Sequence, residues 1–186
     1  ADQIKQQLGI SSRVLFFAAI GGKRLFELPG EIDNLYESKG FPDVNVDLQC
    51  LTKGSSVTAD FLIKEGEQQK IDEIVIRGAK LFDPKTLLGE ISIAAGGPYF
   101  QPDIQREIQK LETFYLNRAV RGTTIQSQTE AVGDNRFRVI LDVREGRVMK
   151  IQNLVVTGNI VTKSKTVKRE LRIKEGDQAN YDGIIA

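Results

Sequence analysis

The segment KIDEIVIRG, at Lys70–Gly78, decides the fold because it returns eighty residues later as KIQNLVVTG, at Lys150–Gly158. The match continues in the same register without a gap. It aligns Glu65-Gly66 with Glu145-Gly146, Lys85-Thr86 with Lys165-Thr166, and Gly96 with Gly176. A fixed internal period indicates repeated copies of one supersecondary unit. A weaker match at an offset of seventy-nine aligns Leu35-Tyr36 with Phe114-Tyr115. We therefore predict three copies. Residues 1–66 lack the first strand, residues 67–146 are complete, and residues 147–186 begin a truncated third copy.

The complete copy predicts a strand–helix–helix–strand–strand order. Its β-branched strand over residues 71–77 ends at Gly78, and Asp83-Pro84 begins a short helix that reaches about Ile91. A longer helix opens at Pro102-Asp103 and carries one apolar stripe, formed by Ile104, Ile108, Leu111, Phe114 and Tyr115. Two strands follow, over residues 123–132 and 136–144. The fold class is therefore α+β, with a three-stranded mixed sheet covered on one face by two helices.

The outer copies predict parts of the same plan. In the first copy we expect a short helix over residues 2–8, a longer one over residues 28–39 that ends at Gly40, and two alternating strands. Cys50 occupies an apolar position in the first of these strands, so we expect it to be a buried small hydrophobe. In the third copy we expect a strand over residues 150–157, a short helix over residues 164–172 and a longer helix from Asn180.

Composition excludes several kinds of chemistry. Net charge is +1, from 26 basic and 25 acidic residues, and gives no global attraction to nucleic acid or anionic lipid. The chain has no histidine and one cysteine, which removes histidine-based catalysis, histidine metal sites, intrachain disulfides and thiolate zinc sites. Asp103 and Glu107 are spaced like a carboxylate pair, but we expect a solvated helix face. The longest apolar run, Val14–Ile20, is far shorter than the roughly 20 residues that span a bilayer. We predict no enzymatic activity, no cofactor and no metal.

Three motifs now carry a resemblance to a known family. The run Leu35–Val44 looks like the helix-to-strand motif of polypeptide-transport-associated (POTRA) domains, and residues 155–159 are similar to their first-strand signature. Residues 61–66 and 141–146 resemble their closing strand. The resemblance covers essentially the whole chain. The middle copy departs from it in one place, where Ala119-Val120 stands in place of Gly40-Phe41.

The resemblance implies a function as well as a fold. It implies the periplasmic face of the bacterial outer membrane and a POTRA array of an outer-membrane protein assembly and insertion factor. Such an array binds unfolded outer-membrane polypeptides and periplasmic accessory proteins or chaperones. It passes clients to its own C-terminal membrane β-barrel, which is absent from this sequence. The alternatives are the POTRA arm of a two-partner secretion transporter and a cell-division scaffold domain. No nucleic-acid partner is expected.

The resemblance also places the second strand of each unit at a sheet edge, where an extended client can add a strand. The predicted polypeptide-binding edge is Thr124, Ile125, Gln126, Ser127, Gln128 and Thr129, which no charge or proline interrupts. A secondary edge in the first copy is formed by Asn45, Asp47 and Gln49. Glu65, Gly66, Glu145 and Gly146 are predicted to form the linkers between units. The first copy lacks the strand that residues 150–157 offer, so strand-swapped self-association is also expected.

Overall fold

Four helices and seven strands follow one another along the described part of the chain. The computed structural model describes residues 22–54, 56–158, 160–161, 163–171 and 173–179. The predicted helix over residues 2–8 and the one from Asn180 lie outside these ranges. The described elements, in chain order, are α1 (Gly22–Ser38), β1 (Asn45–Lys53), β2 (Ser56–Lys64), β3 (Lys70–Arg77), α2 (Pro84–Glu90), α3 (Gln101–Asn117), β4 (Val120–Arg121), β5 (Thr124–Gly133), β6 (Arg136–Arg144), β7 (Arg147–Val148) and α4 (Ser164–Glu170).

The central copy has the predicted order of elements. Asp83 caps α2 because its side chain accepts a hydrogen bond from the Lys85 N–H at 2.8 Å, and Pro84 takes the first helical position. The apolar stripe of α3 is buried in full, and its members are Ile104, Ile108, Leu111, Phe114 and Tyr115. On β6, Val139, Leu141 and Val143 are buried as the alternation predicts, but Ile140 between them is fully buried too. The predicted α+β class is confirmed.

The central sheet has the order β3-β6-β5. The β5–β6 hairpin turns at Asp134 and Asn135, and Asn135 has a φ of 54°. Lys70 at the start of β3 donates to the Asn135 carbonyl, whereas Gly78 at its end lies beside the Val143 carbonyl. Strands β3 and β6 therefore run in the same direction, and the sheet is mixed, as predicted. β5 and β3 form its two edges.

The first copy differs from its prediction in two respects. α1 begins at Gly22 rather than at Leu28, so Pro29 lies inside the helix. An interior proline removes one backbone hydrogen bond, but it does not always end a helix. β1 and β2 pair antiparallel from Asn45↔Lys64 to Lys53↔Ser56. Cys50 is exposed, so its predicted burial is wrong. The half-buried alternation of β1 ends at Leu48, and the hairpin continues beyond the packed surface.

The third copy shows only part of what the repeat predicts. α4 is present, but residues 151–157 form no strand, and the prediction of a strand there is wrong. The described residues contain one isolated bridge in this region, between Lys150 and Gln178. In the central copy the corresponding strand is held by β6, and a sheet strand needs such a neighbour for its backbone groups.

Backbone hydrogen bonds repeat with the same period as the sequence. The Ile71 N–H donates to the Gly97 carbonyl at 2.8 Å, and the Ile151 N–H donates to the Asp177 carbonyl at 2.8 Å. The helix ends are also alike. Gly40 has a φ of 86°, and Ala119 adopts 62° at the corresponding position although it carries a Cβ. The substitution in the middle copy therefore leaves the left-handed helix end intact.

Contacts divide the described chain into two compact units. One contains the described residues up to Asp72 together with Gly96–Phe100 and Ala131–Phe137, and the other contains Glu73–Ala95, Gln101–Glu130 and the described residues from Arg138 onward. In the first unit, Leu28 and Ile32 of α1 are buried. In the second, Phe82 packs edge-on against Phe114 and Tyr115, with ring centroids 5.0 and 5.1 Å apart. The three boundaries drawn from the repeat stay a prediction.

Candidate functional site

The predicted polypeptide-binding edge lies on β5, an edge strand of the central sheet. Its side chains alternate between two environments. Ile125 is buried toward the helices, whereas Thr124, Gln126 and Gln128 are exposed. This alternation is expected of a strand with one covered and one open face. Ser127 is half-buried and Thr129 is exposed. All six predicted residues lie within β5.

A side chain from α3 binds the backbone of this edge. The Ile125 N–H donates to the Glu112 carboxylate at 3.2 Å, and Gln105, seven residues earlier on the helix, donates from Nε2 to Ser127 Oγ at 3.4 Å. Seven residues are two helical turns, so Gln105 and Glu112 lie on one side of α3. The strand itself carries no charge over Thr124–Thr129, so its own sequence does not indicate the charge that the helix supplies.

A groove of about 350 Å³ runs between α3 and the start of β5. Its wall combines polar groups with two apolar side chains. Leu116 is 53% exposed, and Val120 lies buried at the base of the groove. The lining residues are Gln109, Glu112, Thr113, Leu116, Val120, Gly122 and Thr123. The groove is open to solvent beside the strand, so it can receive side chains of a segment placed along β5.

A second groove, of about 300 Å³, crosses the three strands of the central sheet. Thr124, Gln126 and Gln128 contribute its β5 side, and the other lining residues are Arg77, Gly78, Asp142, Val143 and Arg144. The exposed amides of β5 therefore face a polar surface. The grooves on the two faces of β5 thus differ in polarity. An added strand would contact a partly apolar surface with one face and a polar surface with the other.

The secondary edge belongs to β1. Asn45, Asp47 and Gln49 are all exposed, and the Gln49 side chain donates to the Asp47 carboxylate at 3.4 Å. The sheet that contains them has two strands in the described part of the chain. Self-association through a swapped strand stays a prediction, and a monomeric mass in solution would contradict it.

The predicted linker residues are tied into the structure around them. The Glu145 carboxylate accepts hydrogen bonds from the Tyr115 hydroxyl and from the Lys80 and Leu81 N–H groups, each at 2.9 Å. Gly146 donates to Thr123 Oγ1 at 3.1 Å, and β7 directly after it pairs with β4. Burial raises the pKa of Tyr36 above its ordinary value, and hydrogen bonding to Glu65, the repeat counterpart of Glu145, raises it further. Gly66 has a φ of 74°.

The carboxylate pair on α3 has a structural role, and the prediction that it lies on a solvated face is wrong for Glu107. Glu107 is 5% exposed, accepts from the Ser92 N–H at 2.9 Å and pairs with Lys110 at 2.7 Å. Asp103 instead pairs with Arg106. Glu107 therefore ties the segment after α2 to α3. Within the described ranges, no three potential ligand side chains converge on a metal position. In the same ranges, no helix combines the length and apolarity needed to cross a bilayer.

Comparisons with known proteins find a match over the central copy. A family model described as POTRA, surface antigen variable number repeat, matches residues 69–146. Over 154 residues the chain is 24% identical to outer membrane protein assembly factor BamA of Buchnera aphidicola subsp. Acyrthosiphon pisum (strain APS). The aligned segment covers 77% of this chain and 25% of the relative. Over 150 residues it is 25% identical to BamA of Neisseria meningitidis serogroup B, covering 78% of this chain and 18% of the relative.

One solved structure also aligns with the chain. The crystal structure of Haemophilus influenzae BamA POTRA3-5 aligns with a TM-score of 0.44 and 20% identity, over 88% of this chain and 66% of that one. The chain spans a quarter or less of the length of the two curated relatives. Residues 69–146 match the POTRA family model, and the chain is similar to curated outer membrane protein assembly factors.

Proposed function

We propose that this chain is the periplasmic POTRA segment of an outer-membrane protein assembly factor. In this role it is a scaffold without catalytic activity. It binds unfolded outer-membrane polypeptides and accessory proteins at the periplasmic face of the outer membrane, and clients then pass to a membrane barrel. The names of the relatives support the assembly role. The absence of histidine and the structural use of Glu107 support a binding role rather than catalysis.

The observation that carries the proposal is the hydrogen bond of the Ile125 N–H. This backbone donor lies on an edge strand, and its acceptor is a helix side chain rather than another strand. The donor is therefore directed away from β6 and toward the open edge. A side-chain acceptor can be exchanged for the carbonyl of an added strand, which would continue the sheet.

The same bond fixes which residues of β5 face the edge. Successive N–H groups of a strand point to alternate sides, so the Ser127 N–H is expected to share the direction of Ile125. Gln126 and Gln128 are then expected to pair with β6. An added strand would pair with the odd-numbered positions, and its side chains would enter the groove beside Leu116 or lie along Gln126 and Gln128.

Replacing Ser127 with proline tests this proposal. Proline removes one edge donor and places its ring where a new strand would lie, while the bonds to β6 are kept. We expect the affinity for a urea-denatured outer-membrane β-barrel polypeptide, diluted into buffer and followed by fluorescence anisotropy, to fall about tenfold, which is within the 1–3 kcal/mol cost of an unmade hydrogen bond.

Ser127→Ala is the matched control, because it loses the contact with Gln105 but keeps the N–H. It should bind as the unaltered chain does. Circular dichroism should show that both variants are folded. Equal affinities for the proline variant and the unaltered chain would refute strand addition at β5.

A further inference from the structure

We infer that Glu112 guards the β5 edge and gives it a preference for extended segments that carry lysine or arginine. The inference rests on the proposed function, since it concerns how the same edge admits and selects a strand. Edge strands of native sheets are commonly protected by charges on the strand itself. Here the six residues Thr124–Thr129 carry none, and the protecting charge comes from α3.

The guarding step follows from the hydrogen bond. Glu112 Oε1 lies 3.2 Å from the Ile125 nitrogen and occupies the first donor of the edge. Bonds from an N–H to an ionised acceptor are stronger than those to a neutral carbonyl. An incoming strand offers a neutral carbonyl at this position, so it must displace the carboxylate before it can pair. Glu112 therefore opposes docking by strands that provide no new partner for its displaced carboxylate.

The selecting step follows from the charge of the displaced group. Two other acidic residues near the sheet have cationic partners: Glu107 pairs with Lys110 at 2.7 Å and Glu130 with Arg138 at 3.3 Å. In the described part of the chain, Glu112 has no ion pair. Its carboxylate, once displaced, remains half-buried in the wall of the groove and lacks a counter-charge.

The groove suits a long basic side chain. Leu116 is exposed beside Glu112 and offers an apolar surface for the methylene stem of lysine or arginine, whose charged end can then reach the carboxylate. A neutral side chain gains only the apolar contact, and an acidic one is repelled. Glu112 therefore both occupies the edge before docking and attracts the cationic side chain of a docked segment.

The test uses three acetylated and amidated nine-residue peptides of alternating valine and threonine, with lysine, glutamine or glutamate at the centre. Their binding to the whole 186-residue chain is measured by fluorescence anisotropy at low salt. We expect the lysine peptide to bind about threefold to tenfold more tightly than the glutamate peptide, as an exposed ion pair allows. The preference should shrink in high salt.

Two substitutions separate the guarding and selecting roles. Glu112→Gln removes the charge and should abolish the preference for lysine. Glu112→Ala also removes the acceptor and should tighten binding of the glutamine peptide by about threefold or more, since no bond to an ionised group has to be broken. Asp103→Asn changes the charge by the same amount on the same helix and should leave the preference intact.

Each result decides between the two proposals. If the unaltered chain binds the peptides and Ser127→Pro abolishes binding, but both Glu112 variants keep the affinities and the lysine preference, the inference about Glu112 is overturned and the proposed function stands. If neither the unaltered chain nor Glu112→Ala binds any peptide, both are overturned. Binding by Glu112→Ala alone would support the guarding role.

Discussion

Replacing Gly78 with alanine is expected to lower the free energy of unfolding by about 2–5 kcal/mol. Gly78 has a φ of 80°, where a side chain strains the backbone, and a Cβ at this position would lie 2.3 Å from the Val143 carbonyl oxygen. Val143 belongs to β6, the middle strand of the central sheet, so its carbonyl cannot move without disturbing pairing with both neighbours. Urea unfolding followed by circular dichroism measures the loss.

The repeat supplies a control for this substitution. Gly158 lies eighty residues later and has a φ of 82°, but among the described residues a Cβ there would meet nothing within 4 Å. Gly158→Ala therefore carries the backbone strain without the close approach. Its cost should be about 1 kcal/mol, partly offset by the lower entropy of the unfolded chain. Equal losses for the two substitutions would show that the contact between Gly78 and β6 does not matter for stability.

The second large effect is expected for Glu145→Ala, which should lower the free energy of unfolding by about 2–4 kcal/mol. The carboxylate accepts from the Tyr115 hydroxyl and from the Lys80 and Leu81 N–H groups. Tyr115 is fully buried, so truncation leaves its hydroxyl without the acceptor and inaccessible to water. Glu65→Ala is the matched substitution in the first copy. It should cost about 1 kcal/mol, because Tyr36 is only half-buried. A smaller loss for Glu145→Ala than for Glu65→Ala would contradict this ranking.

The contact between Tyr115 and Glu145 also predicts a pH dependence. Burial, and after it the hydrogen bond to Glu145, raise the pKa of Tyr115 above its ordinary value of 10. The folded state then holds the tyrosine proton more tightly than the unfolded state does. The contribution to stability is complete below pH 10 and is lost as the pH rises above that value. Tyr115→Phe should therefore show a shallower loss of stability above pH 10 than the unaltered chain, and identical slopes would contradict the assignment.

Local patterns were sufficient to predict the central copy. The stripe from Ile104 to Tyr115 reports which face of α3 is buried, and Val139, Leu141 and Val143 are buried on β6 as periodicity predicts. Periodicity does not predict that Ile140 is buried as well. The capping pair Asp83-Pro84 marks the start of α2 for a similar reason. These signals lie within one element and need no knowledge of its neighbours.

Features that depend on a distant partner could not be predicted in this way. Cys50 keeps the alternation of β1 but is exposed, because the half-buried positions of the strand end at Leu48. Glu107 is buried because the Ser92 N–H, fifteen residues away, needs an acceptor. The bond between Glu112 and Ile125 joins a helix to an edge strand. The seven-residue spacing of Gln105 and Glu112 would have been the only signal for it.

Amide hydrogen exchange at the β5 edge tests the central claim most directly. The exchange rates of the Ile125 and Ser127 N–H groups would be measured by nuclear magnetic resonance, with and without a saturating unfolded outer-membrane polypeptide. If the client adds a strand, both amides should exchange at least about tenfold more slowly in its presence. The N–H groups of Gln126 and Gln128 point to the other side of β5, toward β6, so their exchange rates should change little. A client that binds while the rates at Ile125 and Ser127 stay the same would contradict strand addition at this edge.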